Sequence, residues 1–434
     1  MKDRNLNVLI ITRSEWDESN SSGNTMSNLW GSYNVNNLAN LYCRGTLPNN
    51  RVCKKYFSIS DKDIIKSTLF MNIKPGKQFE IINEIGENEV SNKNEEKIYS
   101  FFRKKQSTLA IWGQELLWGL GRWKNKNLND FLNNFKPDII FFPCNTYLYM
   151  HKIVWYIQRI TNAKVVLFHT DDNLNYGLSK NIFNRINRRL IAKTAKKSSL
   201  NAALNYCISN KQMTEYSQIL NKELKILYKG ADFLKDPDFK ELPNDILRMV
   251  YIGTTSYGRW KTLGLLANVI NKLNENGKKI ELLIYSQYEP SDVAMKAMII
   301  EGASSFLGKI PSEEVANELK RADIVLHVES FDITERLRTR LSFSTKIVDC
   351  FNSARCIFAI GWEEAASIDY LIENDAAIVA TDEDSIKSKL FEIVENNDLI
   401  QLYARKAWEC GLKNHQIEII QSRLYKDLRY LITD

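Results

Sequence analysis

Short apolar runs alternate with helix-like segments along almost the whole of this 434-residue chain. Runs of five to seven residues rich in β-branched and aromatic side chains are typical of strands buried on both faces. Strands that alternate with helices form stacked βαβ units, so the pattern predicts an α/β fold with parallel, doubly wound sheets. The predicted strands are Asn7–Thr12, Asp138–Pro143, Lys164–His169, Ala203–Ser209, Met249–Gly253, Ile280–Ser286, Asp323–Glu329, Arg355–Gly361 and Ala376–Thr381.

One segment interrupts the alternation near the middle of the chain. Gly230–Leu247 is polar, contains two prolines and has no helical or strand periodicity, which is typical of a linker. Since 434 residues are too many for one ordinary core, we expect two doubly wound domains joined near residue 240. The tail from Asp398 onward is predicted to be helical. In such sheets ligands bind beyond the carboxyl ends of the strands, which is where functional residues are sought.

Composition excludes several classes of protein. The apolar fraction of 44% and the charged fraction of 26% are those of a soluble globular protein. No apolar run approaches the roughly 18 residues that a transmembrane helix needs, and the first apolar run is not followed by a signal-peptide cleavage site. We therefore expect a cytoplasmic protein. The seven cysteines are scattered without metal-ligand spacing, so neither a disulfide framework nor a zinc site is predicted.

Two segments combine basic with apolar or aromatic residues. Residues 180–197 carry seven basic side chains and no acidic one, and residues 101–126 interleave Trp112, Trp118 and Trp123 with lysines and arginines. Such segments suit an anionic membrane surface or nucleic acid, or they are ordinary surface helices whose tryptophans pack inward. No nucleic-acid-binding motif accompanies them, so nucleic acid is not an expected partner.

Several strand-to-helix turns have the residues that bind phosphate. Gly253 follows a predicted strand and would let the backbone approach a ligand, while Arg259 and Lys261 begin the next helix. Further on, Ser344, Thr345 and Lys346 precede an apolar helix-like segment, where capping residues and a lysine attract anions. Neither the GxGxxG nor the GxxxxGK[ST] fingerprint is present, so the recurrence of such turns in both halves is the signal.

The second half resembles the nucleotide-sugar-binding domain of GT-B glycosyltransferases of the retaining, family-four-like group, and in particular the bacterial enzymes of capsular and surface polysaccharide assembly. The resemblance lies in "YIGTTSYGRWKTL", "GKIPSEEVANELKRADIVLHVESFD", "RLSFSTKIVDCFNSARCIFAIG" and "AASIDYLIENDAAIVAT". In the first half, "ITRSEWDESNSSGNTMSNLW" and "FHTDDN" resemble the glycine loop and the histidine-containing acceptor-side loop of the same group.

The resemblance implies roles for individual residues. Arg259 and Lys261 match the basic pair that neutralises the donor diphosphate, and Asp349 stands where such enzymes carry the glutamate that holds the donor ribose. His169 matches the histidine near the sugar or acceptor, although a lone histidine at a strand end is otherwise often a core residue. The full set of implied donor-binding residues is Gly23, Gly253, Arg259, Lys261, Ser344, Thr345, Lys346 and Asp349.

Two positions depart from the family pattern. The Glu-x7-Glu motif would require a carboxylate at Leu341, and Glu329 is the residue that could replace its contact with the sugar hydroxyls. Glu329 is therefore predicted as catalytic together with His169, with an ordinary loop carboxylate or helix cap as the alternative for Glu329. Ala354 stands where a glycine is common.

By resemblance, residues 1–240 form an acceptor domain, 241–410 form a donor domain, and 411–434 cross back to the first domain, with the two Rossmann-like domains facing across a cleft. The implied function is glycosyl transfer from a nucleotide diphosphate sugar to a glycan, with retention and with no cofactor beyond the donor. The acceptor is expected to be lipid-linked and presented at the inner membrane face, where the basic segments would dock the protein.

Metal independence is also predicted. Asp171-Asp172 is the one candidate for an Asp-x-Asp-like metal motif, and it lies in the other half from the basic cluster. Two alternatives remain open: an epimerase or phosphorylase on the same fold, and a non-catalytic nucleotide-sugar-binding partner in a polysaccharide-assembly complex.

Overall fold

The chain divides into two compact units, which we call unit 1 and unit 2. Unit 1 contains the described residues up to Ile208, Met213–Leu227 and the residues from Gln421 onward, whereas unit 2 contains Ser209–Gln212 and Tyr228–Ile420. The computed structural model describes residues 5–81, 108–175, 181–233 and 237–433.

Unit 1 is built on an eight-stranded sheet in the order β4-β3-β2-β1-β5-β6-β7-β8. All neighbouring pairs are parallel except β3 and β4, which are antiparallel at the edge. The central strands are buried on both faces, as the apolar runs require. The strands are β1 (Val8–Thr12), β2 (Leu38–Tyr42), β3 (Lys55–Ser58), β4 (Lys77–Glu80), β5 (Ile139–Pro143), β6 (Lys164–His169), β7 (Leu204–Cys207) and β8 (Lys225–Ile226).

Unit 2 is built on a six-stranded sheet in the order β11-β10-β9-β12-β13-β14, and every neighbouring pair is parallel. Its core consists of aliphatic side chains from the strands and from the helices that cover them. The strands are β9 (Leu247–Ile252), β10 (Ile280–Tyr285), β11 (Ser304–Gly308), β12 (Ile324–Val328), β13 (Cys356–Ile360) and β14 (Ile378–Ala380).

Helices connect most of the strands. Those before β9 are α1 (Ser21–Trp30), α2 (Asp61–Leu69), α3 (Thr108–Leu120), α4 (Lys126–Phe135), α5 (Leu148–Thr161), α6 (Ile182–Asn201) and α7 (Asn210–Leu220). Those after β9 are α8 (Arg259–Leu273), α9 (Asp292–Met298), α10 (Val315–Arg321), α11 (Ile333–Thr339), α12 (Lys346–Asn352), α13 (Ala366–Glu373), α14 (Glu383–Glu395), α15 (Asp398–His415) and α16 (Ile417–Thr433). Val35–Asn37 and Ser312–Glu314 are single 3₁₀ turns.

The predicted fold class is confirmed. Each of the nine predicted strands is present within two residues of its expected bounds, and both sheets are doubly wound α/β sheets. The tail from Asp398 is helical apart from Gln416, which separates α15 from α16. Residues from Gln421 onward belong to unit 1, where the Tyr425 hydroxyl donates to the Leu29 carbonyl at 2.9 Å.

Each sheet has one place where the strand order reverses. In unit 1 the reversal lies between β1 and β5, and in unit 2 it lies between β9 and β12. In open α/β sheets the loops at the carboxyl ends of two such strands diverge and leave a crevice for ligands. Functional residues are therefore expected at these two places.

The basic segments are only partly described. Residues 101–107 and Lys180 lie outside the described residues, so the prediction for them is untested. Trp118 and Trp123 are buried, with 1% and 4% of their surface exposed, so these two tryptophans pack inward. Trp112 is half-buried.

All seven cysteines are free and buried.

Candidate functional site

A buried ion pair joins the two strands at the strand-order reversal of unit 2. Arg259 begins α8 after β9, and Glu329 directly follows β12. The guanidinium donates to both carboxylate oxygens of Glu329 at 2.9 Å and to the Val328 carbonyl at 2.9 Å. Burial alone would lower the pKa of Arg259, but the adjacent Glu329 carboxylate raises it above its ordinary value. The charged form of Arg259 is therefore favoured by its ion pair with Glu329.

Lys261 makes a second, more exposed ion pair in the same region. Its amine lies 2.9 Å from the Asp332 carboxylate, which also caps α11 by accepting a hydrogen bond from the Thr334 amide. The hydrogen bond from Lys261 is the main reason why the pKa of Asp332 lies below its ordinary value. Asp332 is therefore both a helix cap and an ion-pair partner.

The Ser344–Lys346 turn is not buried inside unit 2. Ser344 and Thr345 are half-buried, Lys346 is exposed, and the Lys346 amine donates to the Ile252 carbonyl at the end of β9 at 3.2 Å. Although the side chain is exposed, surrounding protein desolvates the amine and lowers its pKa, while Asp349 partly raises it. Among the described residues, no carboxylate lies within salt-bridge distance of Lys346.

The helix that this turn precedes is short, since α12 has seven residues. Its dipole and free amides are therefore a weaker source of positive potential than those of a long helix. Thr345 makes no side-chain cap to α12. The positive charge of this turn consequently comes mainly from the Lys346 side chain.

Asp349, the predicted ribose ligand, is ion-paired with Lys229 at 2.9 Å. The Lys229 side chain is only 10% exposed, whereas the Asp349 side chain is 41% exposed. Sequence reasoning missed Lys229, because 120 residues separate it from Asp349 and no local pattern marks it. Lys229 brings a fourth cation to the region that holds Arg259, Lys261 and Lys346.

Leu341, where the family pattern requires a carboxylate, is fully buried. Its side chain is 0% exposed, and its carbonyl accepts a hydrogen bond from Ser209 Oγ at 3.1 Å. Glu329 is 5% exposed, with its carboxylate engaged by Arg259. His327 lies 3.8 Å from Glu329 and bonds to Ser367 Oγ at 2.9 Å, and burial lowers the pKa of His327 to about 4.

Two glycines predicted to approach a ligand are required instead by contacts within the chain. A Cβ at Gly253 would lie 2.4 Å from the Tyr251 hydroxyl. Gly23 lies in the first turn of α1 rather than in a loop, its amide donates to Asn20 Oδ1 at 2.8 Å, and a Cβ would lie 1.9 Å from the Asp17 carbonyl oxygen. These contacts explain both glycines without a ligand, and their donor-binding role stays a prediction.

His169 is completely buried at the end of β6 in unit 1. Its Nε2 contacts Ser199 Oγ at 3.2 Å and Asn205 Oδ1 at 3.4 Å, and its ring packs edge-on against Tyr216. Burial lowers the pKa of His169 to about 4, so the ring is neutral. The ring has no exposed surface in this structure, as the alternative of a core histidine implies, and its role near the sugar or acceptor stays a prediction.

A polar cluster that sequence reasoning missed lies at the strand-order reversal of unit 1. Arg13 directly follows β1, and its guanidinium stacks on the Tyr147 ring, 3.7 Å from the centroid. The loop after β5 supplies Tyr147, while the neighbouring Glu115 of α3 accepts from the Leu148 amide at 2.6 Å. Burial raises the pKa of Glu115. The available signal was Arg13 itself, the first charged residue after a buried strand.

No group of three or more side chains suited to hold a metal ion occurs among the described residues. Asp172, part of the one carboxylate pair considered for a metal, accepts hydrogen bonds from Asn175 and from the Tyr216 hydroxyl. Within the part of the chain that the structure describes, no helix combines the length and apolar character needed to cross a bilayer.

Solved structures with the same fold are glycosyltransferases, although their sequences are distant. HepE of Anabaena in complex with UDP and glucose has a TM-score of 0.62 and 12% identity, over 98% of this chain and 100% of that one. Sucrose-phosphate synthase of Thermosynechococcus elongatus has a TM-score of 0.63 and 11% identity, over 98% of this chain and 99% of that one. The α,α-trehalose-phosphate synthase (UDP-forming) of Burkholderia xenovorans, in complex with glucose-6-phosphate, has a TM-score of 0.59 and 9% identity, over 97% and 99% of the two chains.

No family model matches the chain, and no curated protein is similar to it in sequence. At 9–12% identity the structural likeness shows the fold alone. The chain therefore has the GT-B glycosyltransferase fold, with two Rossmann-like sheets.

Proposed function

We propose that this protein is a glycosyltransferase that moves a sugar from a nucleotide diphosphate donor to a glycan acceptor. The observation that carries the proposal is the cation cluster at the strand-order reversal of unit 2, in a chain whose fold is that of nucleotide-sugar enzymes along 97–98% of its length. The cluster consists of Lys229, Arg259, Lys261 and Lys346.

The charge balance of the cluster suits a developing anion. Three of its four cations are paired with carboxylates, those of Glu329, Asp332 and Asp349. During transfer the bond from the anomeric carbon to the diphosphate oxygen breaks, and its electron pair stays on the diphosphate. The acceptor oxygen forms the new bond to the anomeric carbon as its proton passes to the leaving diphosphate. Fixed positive groups stabilise the leaving diphosphate more as its charge grows, and such stabilisation accelerates the reaction.

Lys346 is the residue proposed to contact the diphosphate directly. Its amine has no carboxylate partner among the described residues, so an incoming phosphate need not displace an ion pair to reach it. The lowered pKa of Lys346 also means that an adjacent anion would stabilise its charged form. Ser344 and Thr345 are proposed to bind phosphate oxygens from the same turn.

Arg259 and Glu329 are proposed to act as a unit. Because Glu329 holds Arg259 in place through two hydrogen bonds, the guanidinium is fixed before a donor arrives. Asp349 is proposed to hold the donor ribose, with Lys229 fixing its orientation. The sugar contact proposed for Glu329 would require its carboxylate to bind a hydroxyl while it remains paired with Arg259.

Acceptor recognition is proposed to use the polar cluster of unit 1. Arg13, Tyr147 and Glu115 offer a cation, an aromatic face and a carboxylate, which are groups that bind sugar hydroxyls and rings. His169 is proposed to position the end of β6 rather than to touch the substrate, since its ring is buried. A lipid-linked glycan of a surface polysaccharide is the proposed acceptor, and retention at the anomeric carbon and metal independence are proposed with it.

A thermal-shift screen against UDP, GDP, CMP and dTDP sugars is the first test. A ligand at 100 times its dissociation constant stabilises the folded protein by about 2.7 kcal/mol, which is readily measured. We expect one nucleotide to stabilise the protein and Lys346→Ala to abolish that shift. The absence of any shift would contradict the proposal. Activity that is lost in EDTA and restored by Mg²⁺ or Mn²⁺ would contradict metal independence.

A second candidate function is a non-catalytic partner that binds nucleotide sugars. The observation that favours it is the buried Leu341, which leaves no carboxylate at the position where the resembled enzymes have one. Both candidates bind the donor, so binding cannot separate them. Product analysis with labelled donor and a glycan acceptor does, because only the transferase forms a glycosylated product.

A further inference from the structure

The first half of α6 has no buried residue. From Ile182 to Ile191 every side chain is exposed or half-buried, and burial begins at Ala192. Helices in globular proteins are stabilised mainly by packing of an apolar face, so a half-helix of this kind is expected to have a partner.

The exposed apolar residues of this half-helix share one side. Ile182, Phe183, Ile186 and Leu190 fall within an arc of roughly 100° at 3.6 residues per turn. Their exposed fractions are 62%, 45%, 41% and 41%. Four large apolar side chains on one exposed arc form a contiguous patch, which is uncommon on a monomer without a binding role.

Cations border this apolar arc. Arg185 and Arg189 lie along one side of it, and Lys193 follows Leu190 after one turn. The helix Ile182–Asn201 contains no acidic residue, and none of the ion pairs between described residues includes one of its cations. The positive charge of α6 is therefore uncompensated within the described part of the chain.

Helix α3 extends the same surface. Trp112 of α3 donates from Nε1 to Asn187 Oδ1 at 3.0 Å, and its ring contacts Phe183 edge-on. The leucines on the exposed side of α3 are Leu109, Leu116 and Leu120, with exposed fractions of 62%, 66% and 66%. The two helices contact each other through Trp112, and both expose apolar side chains, with cations bordering those of α6. We call these residues together the α3–α6 surface.

The position of the α3–α6 surface relative to the unit 1 sheet indicates which part of the unit a partner would lie beside. Helix α6 follows the loop after β6, so its exposed half begins at the carboxyl edge of the sheet, the edge where ligands bind in this class of fold. A partner on the α3–α6 surface would therefore lie beside the acceptor end of unit 1.

We propose that the α3–α6 surface binds an anionic lipid bilayer. An apolar arc bordered by uncompensated arginines and lysines matches the interface of such a bilayer, where the apolar side chains enter the acyl boundary and the cations meet lipid phosphates. Trp118 and Trp123 do not take part in this contact, because both are buried. The leucines of α3 and the first half of α6 make the contact.

Co-sedimentation of the full chain with vesicles tests the proposal. Vesicles of phosphatidylcholine alone are compared with vesicles that contain phosphatidylglycerol, in the absence of any sugar donor. The result is therefore independent of transferase activity. We expect binding only to the phosphatidylglycerol vesicles, and weaker binding at high salt because screening reduces the attraction.

Two triple variants separate the contributions of charge and apolar contact. Replacing Arg185, Arg189 and Lys193 by glutamine is expected to weaken binding on the order of a hundredfold. Replacing Phe183, Ile186 and Leu190 by serine is expected to weaken it by at least about tenfold. The matched controls replace exposed residues of unit 2, namely Lys272, Lys279 and Lys296 by glutamine, and Leu242, Val293 and Leu307 by serine.

Binding lost in both α6 variants and kept in both controls supports the proposal. Equal binding to neutral and anionic vesicles, or equal binding by the α6 variants and the parent protein, overturns it. Light scattering provides a further check. If the parent protein is a dimer and the variant with Phe183, Ile186 and Leu190 replaced by serine is a monomer, the surface mediates self-association and the proposal is overturned. Tight, salt-sensitive binding to an oligonucleotide without vesicle binding also overturns it.

Discussion

The carboxyl edges of the two sheets differ in the charge that they present. At the strand-order reversal of unit 2, four cations meet three carboxylates, and one of the cations has no carboxylate partner among the described residues. At the reversal of unit 1, Arg13 stacks on the Tyr147 ring and interacts electrostatically with two carboxylates, those of Asp61 and Glu115. The unit 2 residues are Lys229, Arg259, Lys261, Lys346, Glu329, Asp332 and Asp349, and the unit 1 residues are Arg13, Tyr147, Glu115 and Asp61.

This difference is the basis of our proposal that one architecture, used twice, serves two ligands. An excess of cations stabilises a diphosphate, whereas an aromatic face with mixed polar groups recognises sugar hydroxyls and rings. The sheets set the positions from which these groups project, and the loops after the strands determine the ligand. Experiments that act on one edge and spare the other test the comparison.

The largest effect of a single substitution is expected from Arg259→Ala, in unit 2 alone. The substitution leaves the Glu329 carboxylate buried without its partner, which should reduce the free energy of unfolding by about 3–5 kcal/mol. Urea unfolding measures this loss. The double variant Arg259→Ala/Glu329→Gln should recover part of it, because no unpaired charge then remains buried.

The matched control is Lys389→Ala, which removes a cation from the exposed pair with Glu392 and should change stability by less than about 1 kcal/mol. If Arg259→Ala cost no more than this control, the buried ion pair would not be a fixed feature of the site. The contrast between the two edges would then be weaker than the structure indicates.

Acidification is expected to destabilise both units alike, so it should not distinguish the two edges. Burial lowers the pKa of all four histidines to about 4, with two in each unit. Since the unfolded chain titrates near pH 6.5, it binds more protons than the folded chain between pH 6.5 and 4. The free energy of unfolding should therefore have its full value above pH 6.5. It should decrease as the pH drops from 6.5 to 4, by on the order of 3 kcal/mol per histidine.

Urea unfolding at a series of pH values measures how steeply the free energy of unfolding depends on pH. His169→Gln in unit 1 and His327→Gln in unit 2 should each make that dependence less steep. A free energy of unfolding that stays constant from pH 6.5 to 4.5 would show that the imidazoles are hydrated. His169 could then face a substrate, as the sequence suggested.

Much of the fold could be predicted from the sequence, because buried parallel strands are continuous apolar runs. Of the five strands that were not predicted, β4 is an exposed edge strand and β8 has only two residues, so these two lack that signal. Ala354 stands where glycine was expected and adopts a φ of 54°, so the left-handed backbone conformation is kept without glycine.

Arg259 and Lys261 were predictable because they follow a strand, and Lys346 because it begins a helix, but Lys229 and the carboxylate partners were not. Arg259 and Glu329 are 70 residues apart, and Lys229 and Asp349 are 120 residues apart. Such contacts depend on the order of strands in the sheet rather than on local pattern. Burial of His169 was unpredictable for the same reason, since α6 and α7 supply the contacts around the ring.

A smaller effect, on activity rather than stability, is expected from Lys346→Ala. Loss of a fixed cation beside the leaving group should reduce turnover by about 100-fold, with the unfolding free energy nearly unchanged because the side chain is exposed. Steady-state release of nucleotide diphosphate measures it. Lys261→Ala is the control within the site, and because this exposed lysine is already paired with Asp332 it should reduce turnover by less than about fivefold. Equal losses from both variants would contradict the assignment of Lys346 as the diphosphate contact.

The smallest effect is expected from Arg13→Ala, and it tests the other edge. If unit 1 recognises the acceptor, removal of this guanidinium should raise the KM for the acceptor by about tenfold, the cost of one lost hydrogen bond from a charged group. The KM for the donor should not change. Arg13→Lys is the matched variant, since a lysine keeps the charge but cannot stack a planar group on the Tyr147 ring. An acceptor KM of Arg13→Lys between those of the parent protein and Arg13→Ala would show that both charge and stacking contribute. A change in the donor KM of Arg13→Ala would instead contradict the assignment of the donor to one edge and the acceptor to the other.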